Sequence, residues 1–110
     1  RSGNYLPEVL SAGNLSLDCT QYLLYTKREN VHLNKKEYQL MELFLRYPGH
    51  VFSSEHLMEK VWGLESEAEI DVVWTYIGFL RKKLNQIGST VEIRTIRGVG
   101  YALKEMEKTC

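Results

Sequence analysis

Cysteine is scarce: the 110 residues hold two, Cys19 in a turn-prone stretch and Cys110 at the last position. That excludes a disulfide framework and a cysteine metal knuckle, and it suits a reducing compartment. No apolar run approaches the roughly 18 residues that a membrane-spanning helix needs. The first residues lack the charged-then-apolar form of a secretory leader. The expectation is a cytoplasmic chain with no membrane partner. Neither sign of charge is in excess, with 14 basic against 14 acidic groups, and a neutral total by itself argues against nucleic acid.

Catalytic patterns are missing as well. Gly98 and Gly100 evoke a nucleotide loop, but Leu103 stands where the dinucleotide fingerprint needs its third glycine, and no helix follows. There is no Gly-Lys-Ser/Thr for a phosphate loop. His32, His50 and His56 share no metal spacing with each other or with the cysteines. No serine sits in a nucleophile elbow and no carboxylate pair flanks an evident pocket. The chain is read as a non-enzyme without metal or cofactor.

What is present is one domain's worth of sequence with ordinary globular composition. The zero net charge hides a gradient. Residues 71–104 carry six basic and two acidic groups, leaving eight basic and twelve acidic elsewhere. One end of the molecule is therefore basic, and the local field matters more than the sum. Fluctuation of ordinary domain composition would also produce such a gradient.

The opening RSGNYLPE (1–8) reads as a linker. LSLD (15–18), YLLYT (22–26) and VHL (31–33) are short β-prone pieces separated by turn-like residues, which predicts an antiparallel meander of three or four strands. Asn34 to Glu37 has the form of a capping box. A helix follows, with Leu40, Met41, Phe44 and Leu45 on one face and Tyr38 and Leu43 beside them. Pro48 and Gly49 stop it. Val51-Phe52 reads as a short extended piece. Ser53 or Ser54 caps a second helix to about Trp62, with Leu57, Met58, Val61 and Trp62 inward, and Gly63 ends it.

GLESEAEID then brings acids at 65, 67, 69 and 71. It reads as a loop running toward a third helix. One reading makes it a solvated loop with charge favourable to a helix dipole. The other makes it a partner-docking loop. The third helix runs from about Asp71 to Ile87. At 100° per residue, Val73, Tyr76, Ile77, Leu80 and Leu84 share one side. The opposite side holds Asp71, Thr75, Gly78, Phe79 and Lys82, flanked by Trp74 and Arg81. A plain solvent face should carry glutamate and lysine, so glycine, phenylalanine and threonine there suggest a contact surface. The alternative is that another part of the domain covers it. VEIRTI (91–96) and GYALK (100–104) make a hairpin around Arg97-Gly98-Val99-Gly100.

Sheet, helix, helix, acidic loop, amphipathic helix and basic hairpin is the plan of a winged helix. The expected class is α+β: a winged helix-turn-helix with an N-terminal antiparallel four-stranded sheet, three helices and a C-terminal β-hairpin wing. The third helix would enter the major groove. The wing would place Arg97 over the minor groove, whose negative potential attracts an arginine. The two glycines would tighten the turn and bring backbone near phosphate.

The sequence also resembles the C-terminal effector domain of OmpR/PhoB-type bacterial response regulators. The carriers are LNKKEYQLMELFLRYPGHVFSSEHLMEKVWG (33–63), YIGFLRKKL (76–84) and IRTIRGVGYAL (93–103), within a match from about Val9 to Lys104. The resemblance implies the output domain of a phosphorylation-controlled two-component transcription factor. Residues 1–8 would be the interdomain linker, 9–104 the DNA-binding domain and 105–110 a tail. A receiver domain, absent from this chain, would precede residue 1.

The resemblance further implies double-stranded DNA as partner, a homodimer on direct repeats, and RNA polymerase contact through Leu64, Glu65, Ser66, Glu67, Ala68 and Glu69. It places Thr75, Gly78, Phe79, Lys82 and Arg97 at base or groove positions. Trp62, Tyr76, Arg81, Thr95 and Tyr101 fall at backbone positions, although Trp62 and Tyr76 also lie on or near apolar stripes. Where many members carry arginines, this chain has Gly78 and Phe79, which removes the commonest guanine readers. Direct readout would rest on Thr75, Phe79 against thymine methyls, and Lys82. A winged-helix protein-interaction module is the competing reading, suited by the neutral charge, the aromatic outer face and the acidic loop.

Overall fold

A computed structural model describes residues 8–64 and 66–106. Strands β1 (Val9–Ala12), β2 (Leu15–Asp18), β3 (Leu23–Tyr25) and β4 (Asn30–His32) form an antiparallel meander in chain order. Leu15, Leu17 and Leu24 point inward and are fully buried, the period-2 alternation that short strands need to cover a core. This sheet does not stand alone. Asn14, at its first turn, accepts from the Thr90 amide at 2.7 Å and donates to the Gly88 carbonyl at 2.9 Å. The Thr26 hydroxyl donates to the Ile87 carbonyl at 2.6 Å. Both ties run to the segment that follows the third helix.

Helix α1 (Lys35–Arg46) starts with the expected reciprocal box: the Glu37 amide donates to Asn34 Oδ1 and the Asn34 amide to Glu37 Oε1, each at 2.9 Å. Glu37 is buried and does a second job, pairing with Lys83 Nζ at 2.6 Å. Lys83 also donates to the His32 carbonyl at 3.1 Å, so one cation joins β4, α1 and the third helix. The apolar stripe of α1 is buried as expected, and Leu43 is half-buried against it.

Helix α2 (Ser54–Val61) is capped by Ser53, whose hydroxyl accepts from the His56 amide at 3.1 Å. Leu57 and Val61 are buried, and Met58 and Trp62 half-buried. Helix α3 (Asp71–Gln86) buries Val73, Ile77, Leu80 and Leu84 against α1 and α2. It has no side-chain cap; Ile70 stands at its N-cap.

Strands β5 (Val91–Ile96) and β6 (Gly100–Glu105) pair antiparallel and close the molecule. Phe52, the short extended piece, bridges to Tyr101, with each amide donating to the other's carbonyl at 2.8 Å. The hairpin is thereby hydrogen-bonded to the α1–α2 connection. Three helices, a four-stranded antiparallel platform and a C-terminal hairpin are the winged-helix architecture the sequence led us to expect. Glu8, counted with the linker, is tied to this body: its carbonyl accepts from the Cys19 amide at 3.0 Å and its carboxylate pairs with Arg46 at 2.7 Å. The rest of the expected linker (1–7), Cys110 and tail residues 107–110 lie outside the described residues. Of the expected tail, Glu105 ends β6.

Candidate nucleic-acid interface

The core takes one side of α3 and leaves the other to solvent. Thr75 and Lys82 are exposed, Phe79 keeps 44% of its surface and Trp74 67%, so nothing among the described residues covers this face. Trp74, Thr75, Gly78, Phe79, Arg81 and Lys82 line a shallow depression of about 250 Å³ along it. Gly78, half-buried, is one of its lining residues. A Cβ there would meet nothing within 4 Å, so no internal packing calls for glycine. Glycine nevertheless costs a helix about 1 kcal/mol relative to alanine.

The aromatic residues form a chain leading to this face. The Trp62 ring meets Tyr76 edge-on at 5.1 Å, and Tyr76 meets Phe79 at 5.4 Å. Trp62 is also covered by Lys36 Nζ at 5.7 Å, and that ammonium donates to the Val61 carbonyl at 2.8 Å. Trp62 and Tyr76, placed by resemblance at backbone positions, are thus half-buried, and Tyr76 links Trp62 to Phe79.

Arg81, Thr95 and Tyr101, also placed by resemblance at backbone positions, come together. Arg81 Nε donates to the Ile93 carbonyl at 2.9 Å and one Nη donates to Thr95 Oγ1 at 2.8 Å. The guanidinium lies 6.0 Å from the Tyr101 ring centre. This clasp fixes the hairpin beside the outer face of α3. Its planar fork engages two acceptors at once, a match that a lysine's point charge does not reproduce.

At the hairpin tip, Val99 donates to the Ile96 carbonyl at 2.9 Å, closing a four-residue turn. Gly98 takes φ +75° in third place, where a side chain would be strained. Arg97 and Val99 are exposed at the tip. The second glycine has a different reason from the one expected. A Cβ on Gly100 would lie 1.9 Å from the Phe52 carbonyl oxygen, so Gly100 faces inward and admits the Phe52 bridge.

The basic segment is less free than its composition implies. Lys83 is paired with Glu37, Arg94 with Glu92 at 2.7 Å, and Arg81 is held in its clasp. Lys82 and Arg97 make no hydrogen bond or ion pair among the described residues, and both border the outer face or its wing. Of the acidic loop, Leu64, Glu67, Ala68 and Glu69 are exposed and Ser66 is half-buried, with its hydroxyl accepting from Ala68. Glu65 lies outside the described residues. Sequence reasoning left Trp74 on the flank and gave it no role; its 67% exposure makes it part of the face. Its position one residue before Thr75 was the available signal.

Among the described residues there is no cluster able to hold a metal ion, and no helix is long and apolar enough to cross a membrane.

Residues 28–103 match the family model described as transcriptional regulatory protein, C terminal. The transcriptional regulatory protein DltR of Streptococcus agalactiae is 38% identical over 96 residues, covering 87% of this chain and 43% of that protein. The chain thus spans less than half the length of such relatives. Among solved structures, the DNA-binding domain of response regulator AdeR, in complex with an intercistronic region, matches at TM-score 0.75 and 27% identity, covering 87% of this chain and 99% of that one. Response regulator DrrB of Thermotoga maritima, an OmpR/PhoB homolog, matches at 0.73 and 31%, covering 87% and 44%.

Proposed function

The chain belongs to the C-terminal transcriptional regulatory family of response regulators, and from that premise we propose how it acts: it binds double-stranded DNA, with α3 in the major groove and Arg97 of the wing in the minor groove. One observation carries this reading. The face of α3 that the core does not use is open, and the Arg81 clasp holds an exposed arginine-tipped hairpin beside it. A major groove admits a helix, and a narrow minor groove attracts arginine. Thr75, Gly78, Phe79 and Lys82 would meet base edges. Thr95 and Tyr101, brought to the foot of the wing, and Trp62, Tyr76 and Arg81 would lie nearer the sugar-phosphate backbone.

The remaining parts of the proposal concern a longer protein. As the output half of a response regulator, this domain would follow a receiver whose phosphorylation controls pairing of two copies on DNA, in the cytoplasm. A second surface favours a protein partner. Leu64 is 83% exposed and Ile70 46%, beside Glu67 and Glu69. Exposed apolar groups among acids suit a contact with RNA polymerase. The same feature supports the competing reading of a protein-interaction module.

Backbone amide NMR shifts of the labelled chain, followed while a duplex is added, separate the readings. Changes confined to α3 and residues 96–100 support groove and wing. Changes confined to residues 64–70, or none, favour the protein-interaction module.

A further inference from the structure

We propose that Gly78 is a steric opening for the C5-methyl group of thymine, walled by Trp74 and Phe79, and that it sets a preference for thymine in the bound duplex. The inference rests on the DNA-binding reading and deepens it. Glycine weakens the middle of a helix, and here, among the described residues, nothing beyond the helix's own backbone comes within 4 Å of where a Cβ would stand. The space it leaves is open to a group from outside the domain. Trp74 and Phe79 stand exposed in the same depression as Gly78, and the Tyr76 ring, itself packed on Trp62, lies against Phe79.

Two of the polar side chains on this face already have partners within the domain. Arg81 is committed to Ile93 and Thr95, and the Thr75 hydroxyl donates to the Asp71 carbonyl of its own helix at 3.3 Å. Lys82 is the one cation on the depression without a partner among the described residues. Of the base edges in the major groove, thymine alone presents an apolar group, its methyl. An apolar recess bordered by a free lysine, beside a wing tipped with Arg97, matches a methyl set between phosphates. An apolar protein side chain would leave those cations unmatched.

The test uses this chain and two random-sequence duplex pools, one containing thymine and one uracil, which lacks only the methyl. Duplexes selected from the thymine pool are remeasured with each thymine replaced by uracil in turn. The proposal expects a loss of about fourfold in affinity at each methyl seated on the face, the equivalent of about 0.8 kcal/mol.

Gly78→Ala, with nothing to clash against, should raise the melting temperature by about 4–8 °C. It should also shrink the thymine-to-uracil ratio toward one without changing the salt dependence of binding. Salt-dependent binding with equal affinity for both pools overturns the methyl proposal and leaves DNA binding standing. So does Gly78→Ala keeping the full ratio. Failure of the unaltered chain to bind either pool at any salt overturns both.

Discussion

Replacing Arg81 by lysine separates a structural arginine from a phosphate-binding one. The charge stays, but the fork is lost. In the native domain that fork donates to the Ile93 carbonyl and to Thr95 Oγ1 and lies against Tyr101. Fully buried hydrogen bonds from a charged donor contribute about 1.5–3 kcal/mol each. These are part-buried and exposed, so about 1 kcal/mol each is the reasonable figure, with about 0.5 more from the ring contact. A lysine can recover one of the bonds. The expected loss is therefore about 1–2 kcal/mol, or roughly 5–15 °C in melting temperature for a domain of this size. Thermal unfolding by circular dichroism measures it, and DNA affinity is read on the same sample well below the transition. If Arg81→Lys melts within a degree or two of the native domain yet loses DNA affinity, the clasp is not what Arg81 is for, and the reasoning fails.

Two further expectations follow from close contacts and from charge. Gly100→Ala should cost about 3 kcal/mol or more, because its Cβ would overlap the Phe52 carbonyl. Gly98→Ala, which meets no atom and is strained only by its positive φ, should cost about 1–2 kcal/mol; urea denaturation ranks the pair, and equal costs would contradict the packing argument. Acid should also weaken the domain. Hydrogen bonds from Arg46 hold the Glu8 carboxyl below its ordinary range, and hydrogen bonds from Thr20 do the same for Asp18. Stability from such groups is present above their unfolded values, near pH 4, and is lost as pH falls through the lower folded values. Asp18→Asn should flatten that part of a urea-midpoint profile against pH, and an unchanged slope would remove Asp18 from the account.

Features that depend on neighbours in sequence were readable in advance. The Asn34–Glu37 box, a serine cap at 53 or 54, which the structure resolves to Ser53, and the apolar side of α3 all follow from spacings of three or four residues, which a helix makes into contacts. The outer face of α3 followed from the same wheel. What escaped depends on distant partners. Glu37 is a cap in sequence, and only the fold brings Lys83 to it. Arg81 looks like a free surface cation until β5 returns beside α3. Gly100 looks like a turn-tightening glycine until Phe52, from the α1–α2 connection, is placed against it. The count of basic residues misled in the same way, since ion pairs formed by folding leave fewer of them for a partner.

The central claim is that the open face of α3 and the wing meet duplex DNA. It is tested most directly by fluorescence anisotropy of a labelled duplex, titrated with the chain at several salt concentrations, beside Arg97→Ala. With Lys82 and Arg97 the cations at the site that have no partner among the described residues, affinity should fall with a log–log slope of about −2 or steeper. Arg97→Ala should weaken binding and lessen that slope by about 1. Binding indifferent to salt, or an Arg97→Ala variant that binds with the native slope, would contradict the account.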